Sequence, residues 1–244
     1  MENESQNSPL PIRYEKARAW FSVFACSRSR AEEQLPDPLL SPALIVPGLS
    51  ALVVAVFDFE DSSIGPYREV GIGVPCRYRR STAIPLVPLL AEKYLDDVGP
   101  WVNFMAVSTQ VANDAGRRYW GYPKFVADID IQADDAQMRC VVKEKGEKIL
   151  EVNVDRPARS GPIRFPVRTY TQLADELLLT EFHVDAMGSI RRLGAKARVR
   201  FEDHPRAASL RELRVAGSQP IEVRWCDVYR TEIDRARARY RIGV

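Results

Sequence analysis

The ten residues Gly116 to Phe125, G-R-R-Y-W-G-Y-P-K-F, hold the side chain best able to do covalent chemistry. Lys124 follows Pro123 and stands behind three aromatic rings, Tyr119, Trp120 and Tyr122. A lysine amine is a nucleophile only when unprotonated, and in water its pKa is about 10.4. Apolar surroundings disfavour the ammonium and pull that value down. Neutrality at physiological pH requires about three pH units, roughly 4–5 kcal/mol of differential interaction. Aromatic packing beside a stiff proline supplies part of this, so the segment reads as the holder of a Schiff-base lysine. On spacing alone, a lysine after a proline is more often a solvated surface residue.

The elements that must position this lysine are mostly strands. Ala17–Cys26, Leu52–Phe59 and Tyr67–Pro75 are rich in β-branched and aromatic residues. Trp101–Val107 and Phe125–Ile131 read as further strands, the second alternating apolar and acidic positions. Arg139–Lys143 and Lys148–Val154 read as a hairpin across a charged turn. Leu177–Val184, Lys196–Glu202, Leu213–Val215 and Ile221–Trp225 make the last third β-rich. Two short helices are expected. One is amphipathic over Leu86–Asp97. The other is capped by Ser108 or Thr109 and runs through Val111, Ala112 and Ala115 toward Gly116, delivering the lysine segment to the core. Many strands, few helices and frequent turns predict a mainly β fold, an antiparallel β-barrel with a few short peripheral helices. Residues 1–11 read as a flexible polar tail and 12–244 as one domain.

Composition narrows the class. The chain has 244 residues, 45% hydrophobic and 28% charged, with formal net charge +2. It is long enough for a large buried core and has no global polyelectrolyte character. Charge is unevenly placed: the stretch 156–244 is net basic and 1–155 net acidic. A basic face of that kind attracts anionic substrates or pairs with an acidic half in an oligomer. Cys26, Cys76, Cys140 and Cys226 are scattered without C-x-x-C spacing, and His183 and His204 lack metal-like partner spacing, so neither a metal site nor a disulfide framework is expected. The N-terminus has no signal-like apolar core, and the longest apolar run, Ala51–Phe57, is too short to span a bilayer. A soluble cytoplasmic protein without membrane contact follows as the default. The arginine-rich end, Arg230–Arg241, interleaves Glu232 and Asp234 and reads as an ion-paired element, not a nucleic-acid surface.

The lysine segment resembles the G-R-E-x-x-G-x-P-K-K-like run of the acetoacetate decarboxylase family, with Lys124 on the imine-forming lysine. Two positions depart from that pattern: Arg118 stands where a glutamate is usual, and Phe125 replaces the second lysine. The turn-rich stretch after Phe59 resembles the family's turn ending in a tyrosine and a glutamate, which aligns Tyr67 and Glu69 with them. The resemblance is weak over most of the chain and clearer over residues 60–130. It implies a closed β-cone with the lysine in its cavity, no cofactor, and a homo-oligomer. Glu69 becomes the candidate proton carrier, since a carboxyl in an apolar cavity is pushed into the useful range. Tyr67 becomes a hydrogen-bond donor beside it. Arg117 and Arg118 are candidates for an anionic substrate, because guanidinium forks pair with carboxylates. Tyr119, Trp120, Tyr122 and Phe125 would wall the site, and Arg18 corresponds to an N-terminal arginine that would hold the substrate carboxylate. A second family glutamate falls on Val54 by a gapless count.

The activity implied is lyase chemistry on a small oxo-acid through an imine on Lys124, with decarboxylation of a β-keto acid leading. Aldolase or dehydratase chemistry on an α-keto acid is the alternative. A cavity that holds a ligand without turning it over is the competing reading from another class.

Overall fold

The computed structural model describes residues 10–78, 95–158, 160–192 and 194–241. Fifteen strands and three α-helices are placed among them. In chain order the first strands are β1 (Ile12–Ser27), β2 (Leu40–Pro42), β3 (Leu44–Val46), β4 (Leu49–Ser62), β5 (Tyr67–Tyr78) and β6 (Val98–Val107). Next come β7 (Lys124–Val126), β8 (Asp128–Ala133), β9 (Gln137–Glu144) and β10 (Glu147–Asp155). The rest are β11 (Gly161–Leu173), β12 (Glu176–Arg191), β13 (Ala197–Phe201), β14 (Pro220–Ile233) and β15 (Ala238–Arg241). The helices are α1 (Arg28–Glu32), α2 (Gln110–Trp120) and α3 (Ala208–Glu212).

Seven strands run β5-β4-β1-β14-β12-β11-β6, and the β5–β6 pairing closes them into a barrel. Neighbours are antiparallel except β11 and β6, which meet in parallel at Tyr170 and Trp101. Closure removes the exposed edges that an open sheet of this size would present. A separate antiparallel sheet, β13-β10-β9-β8, lies against the outside of the barrel. The mainly β barrel with short helices is thus the observed architecture.

The period-two side-chain alternation of the barrel strands sorts their residues into two cores. Trp20, Phe24, Leu52, Val54, Val56, Val70 and Ile72 face outward and join Met138, Cys140, Val142 and Leu150 of the small sheet in one apolar cluster. Phe21, Ala55, Phe57, Val102, Met105 and Phe165 face inward and cluster in the lumen with Trp120 and Tyr122.

Several expectations change. Phe125–Ile131 is not one strand. β7 pairs with β6 in the barrel and β8 with β9 in the small sheet, so the chain crosses between sheets at Ala127. Leu213–Val215 is not a strand either. Pro205 starts a 3-10 turn that runs into α3, and Leu210 and Leu213, three apart, bury on one helical face. The strand expected from Trp101 begins earlier, at Val98, and takes in Gly99 and Pro100. Most of the helix expected over 86–97, and most of the tail expected over 1–11, lie outside the described residues. Pro162 and Pro166 sit within β11, tolerated because that part of the strand pairs on one side with β12 and does not reach β6 on the other.

Helix α2 carries the lysine segment. Thr109 caps it, its hydroxyl accepting from the Ala112 N–H at 3.3 Å, while the Ser108 hydroxyl accepts from the Arg68 N–H instead. Ala112, Gly116 and Trp120, at i, i+4 and i+8, bury one stripe. Gly121 ends the helix at φ 62°, and a side chain there would overlap the Gln172 carbonyl. The N–H of Tyr122 then bonds back to the Gly116 carbonyl, turning the chain toward β7.

Candidate functional site

The barrel lumen holds a cavity of about 180 Å³ with mostly apolar walls. Lys124 enters it from β7, whose parallel pairing sets Lys124 beside Met105 of β6. The lysine is 5% exposed and Glu69 7%, and the Lys124 Nζ lies 2.7 Å from the Glu69 Oε2. Glu69 reaches the same point from β5, two residues into the strand and inward by alternation. The Tyr67 and Tyr122 rings each stand 5.7 Å from the ammonium. Both groups are therefore held away from bulk water. The group against the amine is a carboxylate, which accepts a short hydrogen bond from the Lys124 Nζ.

Gly116 makes room for this arrangement. A Cβ at that position would overlap Cδ and Cε of Lys124, so the lysine stem passes directly across the bare helix backbone. Lys124 is held from its own main chain as well. Its carbonyl accepts from the Arg117 guanidinium at 3.0 Å, and its N–H donates to the Tyr122 carbonyl at 2.7 Å.

Around the pair lies a set of buried hydroxyls. Tyr14 and Tyr67 share a hydrogen bond at 2.9 Å, and Tyr122 bonds Thr169 at 2.8 Å. Burial pushes all three phenols well above the ordinary tyrosine range, with the nearby Glu69 charge adding to it. They remain neutral and able to donate at any physiological pH.

The remaining candidates divide. Trp120 and Tyr122 line the cavity. Tyr67 is fully engaged with the pair's surroundings, but its hydroxyl meets Tyr14 and not Glu69. Arg117 and Arg118 are exposed on α2, the first on the Lys124 carbonyl and the second over the Tyr119 ring. Phe125 faces the other way, packed on Phe104 and under the Arg206 guanidinium. Arg18 pairs with Asp58 at 2.7 Å on the barrel's outer side, and Tyr119 is half-buried beside Trp120. These five stand outside the cavity lining. For Arg117, Arg118 and Phe125 the reason is helical or strand phase, which turns neighbours of a buried residue away from it. Val54 sits in the outer core, while its neighbours Val53 and Ala55 line the lumen.

Sequence reading missed Tyr14, Thr169, Arg168, Glu222 and Arg224, all of which line the cavity. Glu222 and Arg224 did carry a signal. They alternate with Val223 and Trp225, which marks a strand with one polar face. That face reads as solvent-facing until the barrel closes around it. Among the described residues no group of three or more His, Cys, Asp or Glu is arranged to hold a metal. His204 is buried, its Nδ1 accepting from the Arg206 N–H. No helix among the described residues is long and apolar enough to cross a membrane. The arginine-rich end forms the close of β14 and β15, where Arg237 pairs with Asp96 and Glu181 and Arg239 with Glu176.

A closed β-barrel with an amine and a carboxylate buried together in its lumen defines a cavity protein with a charged pair facing the void. The chain belongs to the acetoacetate decarboxylase family, whose sequence profile matches residues 2–218. Among solved structures it resembles an acetoacetate decarboxylase from Legionella pneumophila subsp. pneumophila str. Philadelphia 1. The TM-score is 0.66 at 16% identity, over 97% of this chain and 94% of that one. It also resembles the enduracididine biosynthesis enzyme MppR in complex with pyruvate, with TM-score 0.63 at 13% identity, over 99% and 93% of the two chains. An acetoacetate decarboxylase-like enzyme from Sphingomonas wittichii RW1 matches with TM-score 0.55 at 13% identity, over 98% and 97%. At these identities the likeness is one of fold. No curated protein matches the sequence significantly.

Proposed function

We propose that this chain is a Schiff-base-forming lyase acting on a small oxo-acid, with Lys124 as the nucleophile. The observation that carries this reading is the 2.7 Å contact between the buried Lys124 amine and the Glu69 carboxylate inside the barrel cavity. Family membership supports it. Moving the shared proton to Glu69 leaves a neutral amine, which adds to the substrate carbonyl. The carbinolamine then takes that proton from Glu69 onto its hydroxyl and loses it as water, leaving a protonated iminium beside the carboxylate. The iminium nitrogen is the electron sink, so no separate cofactor enters the route. In decarboxylation the bond to the β-carboxylate breaks, its electron pair moves toward nitrogen, carbon dioxide leaves and an enamine remains. Glu69, taking up a proton from water, is the group placed to deliver it to the enamine carbon, and water then hydrolyses the resulting imine to free Lys124. The tyrosine hydroxyls, neutral throughout, are donors for the oxygen that departs as water.

Decarboxylation of a β-keto acid is the leading reaction. Aldol-type condensation or dehydration is the second, because the same iminium stabilises the carbanion either reaction needs. It is favoured by the neighbour MppR, solved with pyruvate and with the condensation product of pyruvate and imidazole 4-carboxaldehyde. The test is reduction with borohydride in the presence of acetoacetate or pyruvate, followed by peptide mass analysis. A reduced adduct on Lys124, absent in Lys124→Ala, is expected, together with a loss of turnover on the order of 10³-fold or more in that variant. An adduct on another residue, or turnover retained in Lys124→Ala, overturns the reading. Saturable binding without any adduct marks a ligand-holding protein instead.

A further inference from the structure

The lumen changes character on the two sides of Lys124, from stacked rings to small side chains. We infer that the carbonyl compound attacked by Lys124 carries an apolar chain or ring, and that this group lies along β5 over Gly71. This deepens the lyase reading above and rests on it. Where the reaction is decarboxylation, the substrate is a 3-oxo acid with an apolar chain and the product is a methyl ketone.

Strand register orders the walls. Along β4 and β5 the inward-facing pairs run Val53 with Gly73, Ala55 with Gly71, Phe57 with Glu69 and Phe59 with Tyr67. Lys124 joins the Gly71 row through Met105, and its amine reaches Glu69 in the next row. Beyond Glu69 the space is filled by rings. Phe59 stands 5.3 Å from Phe57, 4.3 Å from Tyr14 and 4.7 Å from Tyr67, centre to centre. In the other direction the same two strands present Gly71, Ala55, Gly73 and Val53 to the cavity. A group on the imine carbon therefore extends over the small residues and not through the stacked rings. A cavity of about 150 Å³ holds a benzene ring, and this one of about 180 Å³ holds a ketone with a short chain or ring.

Gly71 points to the ligand most directly. Glycine inside a strand weakens it, and marks a bulge or a place where another backbone or a ligand comes close. Gly73 has a backbone reason, since a Cβ there would overlap the Trp101 carbonyl, and the irregularity of the β5–β6 pairing falls between Ile72 and Gly73. Gly71 has neither. It pairs in register with Ala55 on one side and Met105 on the other, and its φ is not positive. A Cβ there would meet only the Met105 Cε, at 3.3 Å, the far end of a flexible side chain that itself lines the cavity. The missing side chain is thus cavity floor one strand away from the Lys124 pairing partner, and Met105 can shift to follow the shape of an apolar group laid on it. Beyond Glu69, the charged groups that also line the cavity stand on β11 and β14, where Arg168 pairs with Glu181 and Arg224 with Glu222. The wall made by β4 and β5 beside Gly71 carries none.

The experiment measures borohydride trapping on Lys124 in the intact protein as a function of ketone concentration, with acetone, 2-butanone, 2-pentanone and 2-heptanone as probes. Burying a methylene is worth about threefold to fourfold in affinity. The half-saturating concentration should therefore fall along the series, by roughly tenfold or more from acetone to 2-heptanone. Gly71→Val fills the floor without a backbone clash and should reduce the advantage of 2-heptanone over acetone to about threefold or less, with Gly71→Ala in between. Ala55→Val, opposite Gly71 in register, should act in the same direction. Trapping that does not improve with chain length in the unsubstituted protein overturns the inference without any variant having to fold. So does a Gly71→Val protein that keeps the full chain-length advantage, or one that loses acetone and 2-heptanone by the same factor. Adducts on Lys124 that ignore chain length leave the lyase reading standing. If no ketone gives an adduct on Lys124, the lyase reading fails and this inference fails with it.

Discussion

The same strands build two cores of opposite character. On β5, Val70, Ile72 and Val74 face the small sheet and bury at 0–1% exposure, while Glu69, Gly71 and Gly73 face the lumen. On β14, Val223 and Trp225 pack outward and Glu222 and Arg224 inward. The outer core is filled by interdigitating aliphatic side chains from two sheets. The inner one combines small residues, aromatic walls and three sets of buried charges around a void. The contrast shows where stability and chemistry are kept apart. Charges that would be costly in a dry packed core are accepted in the lumen because they arrive in pairs, and the void beside them admits a ligand.

If that division is real, substitutions on the two sides differ in kind. The largest expected effect on rate is Glu69→Gln. The amide keeps a hydrogen bond to Lys124 but cannot take its proton, so turnover should fall about 10²–10⁴-fold with little change in melting temperature. Steady-state kinetics beside thermal denaturation decide it, and an unchanged rate would remove Glu69 from the mechanism. Leu150→Ala, in the outer core, should do the reverse. Deleting a fully buried leucine costs about 2–5 kcal/mol of stability, while kcat at a temperature where the variant stays folded should hold. Denaturant titration reads the first quantity, and a comparable fall in kcat would blur the division.

Gly116→Ala lies on the boundary. Alanine gains up to about 1 kcal/mol of helix propensity over glycine, yet the new methyl overlaps the Lys124 stem. Imine trapping should therefore drop at least tenfold while stability changes by no more than roughly 1 kcal/mol. Normal trapping would show that the lysine has another route into the cavity.

The smallest effect concerns alkaline pH. Burial holds the Tyr14 and Tyr67 phenols above their ordinary value, so the unfolded chain releases those protons at about pH 10 while the folded protein keeps them. The unfolded state then binds fewer protons, and stability falls with rising pH. The stabilisation is whole below about pH 10 and declines above it, by roughly 1.4 kcal/mol per pH unit for each such group. Tyr67→Phe should flatten that decline in denaturant titrations between pH 9 and 11. An unaltered slope would mean that the lumen opens to solvent before the phenol titrates.

Much of the fold was legible because alternation and turn residues are local. The strands over 52–59, 67–75 and 221–225 could be read from their own residues, and so could the Thr109-capped helix. The lysine segment could be read too, because Pro123, Gly121 and the aromatic residues act within ten positions of Lys124. Helix phase was less well used. Gly116, Trp120 and the buried stripe were in the sequence, and the same spacing turns Arg117 and Arg118 to solvent. The break at Ala127 left no local mark, since β7 and β8 share one alternating pattern and differ only in which sheet accepts them.

The chain's own order of residues was enough to determine a β-rich protein with one lysine set apart by its neighbours, since propensity, turns and short-range packing act over a few positions. Which face of each strand became the inside was decided only when β5 met β6 and the barrel closed. A polar face such as that of β14 is the same string of residues whether water or a cavity lies beyond it. Closure took the water away and set Glu69 against Lys124. That relation joins residues 55 positions apart, beyond the reach of any local pattern.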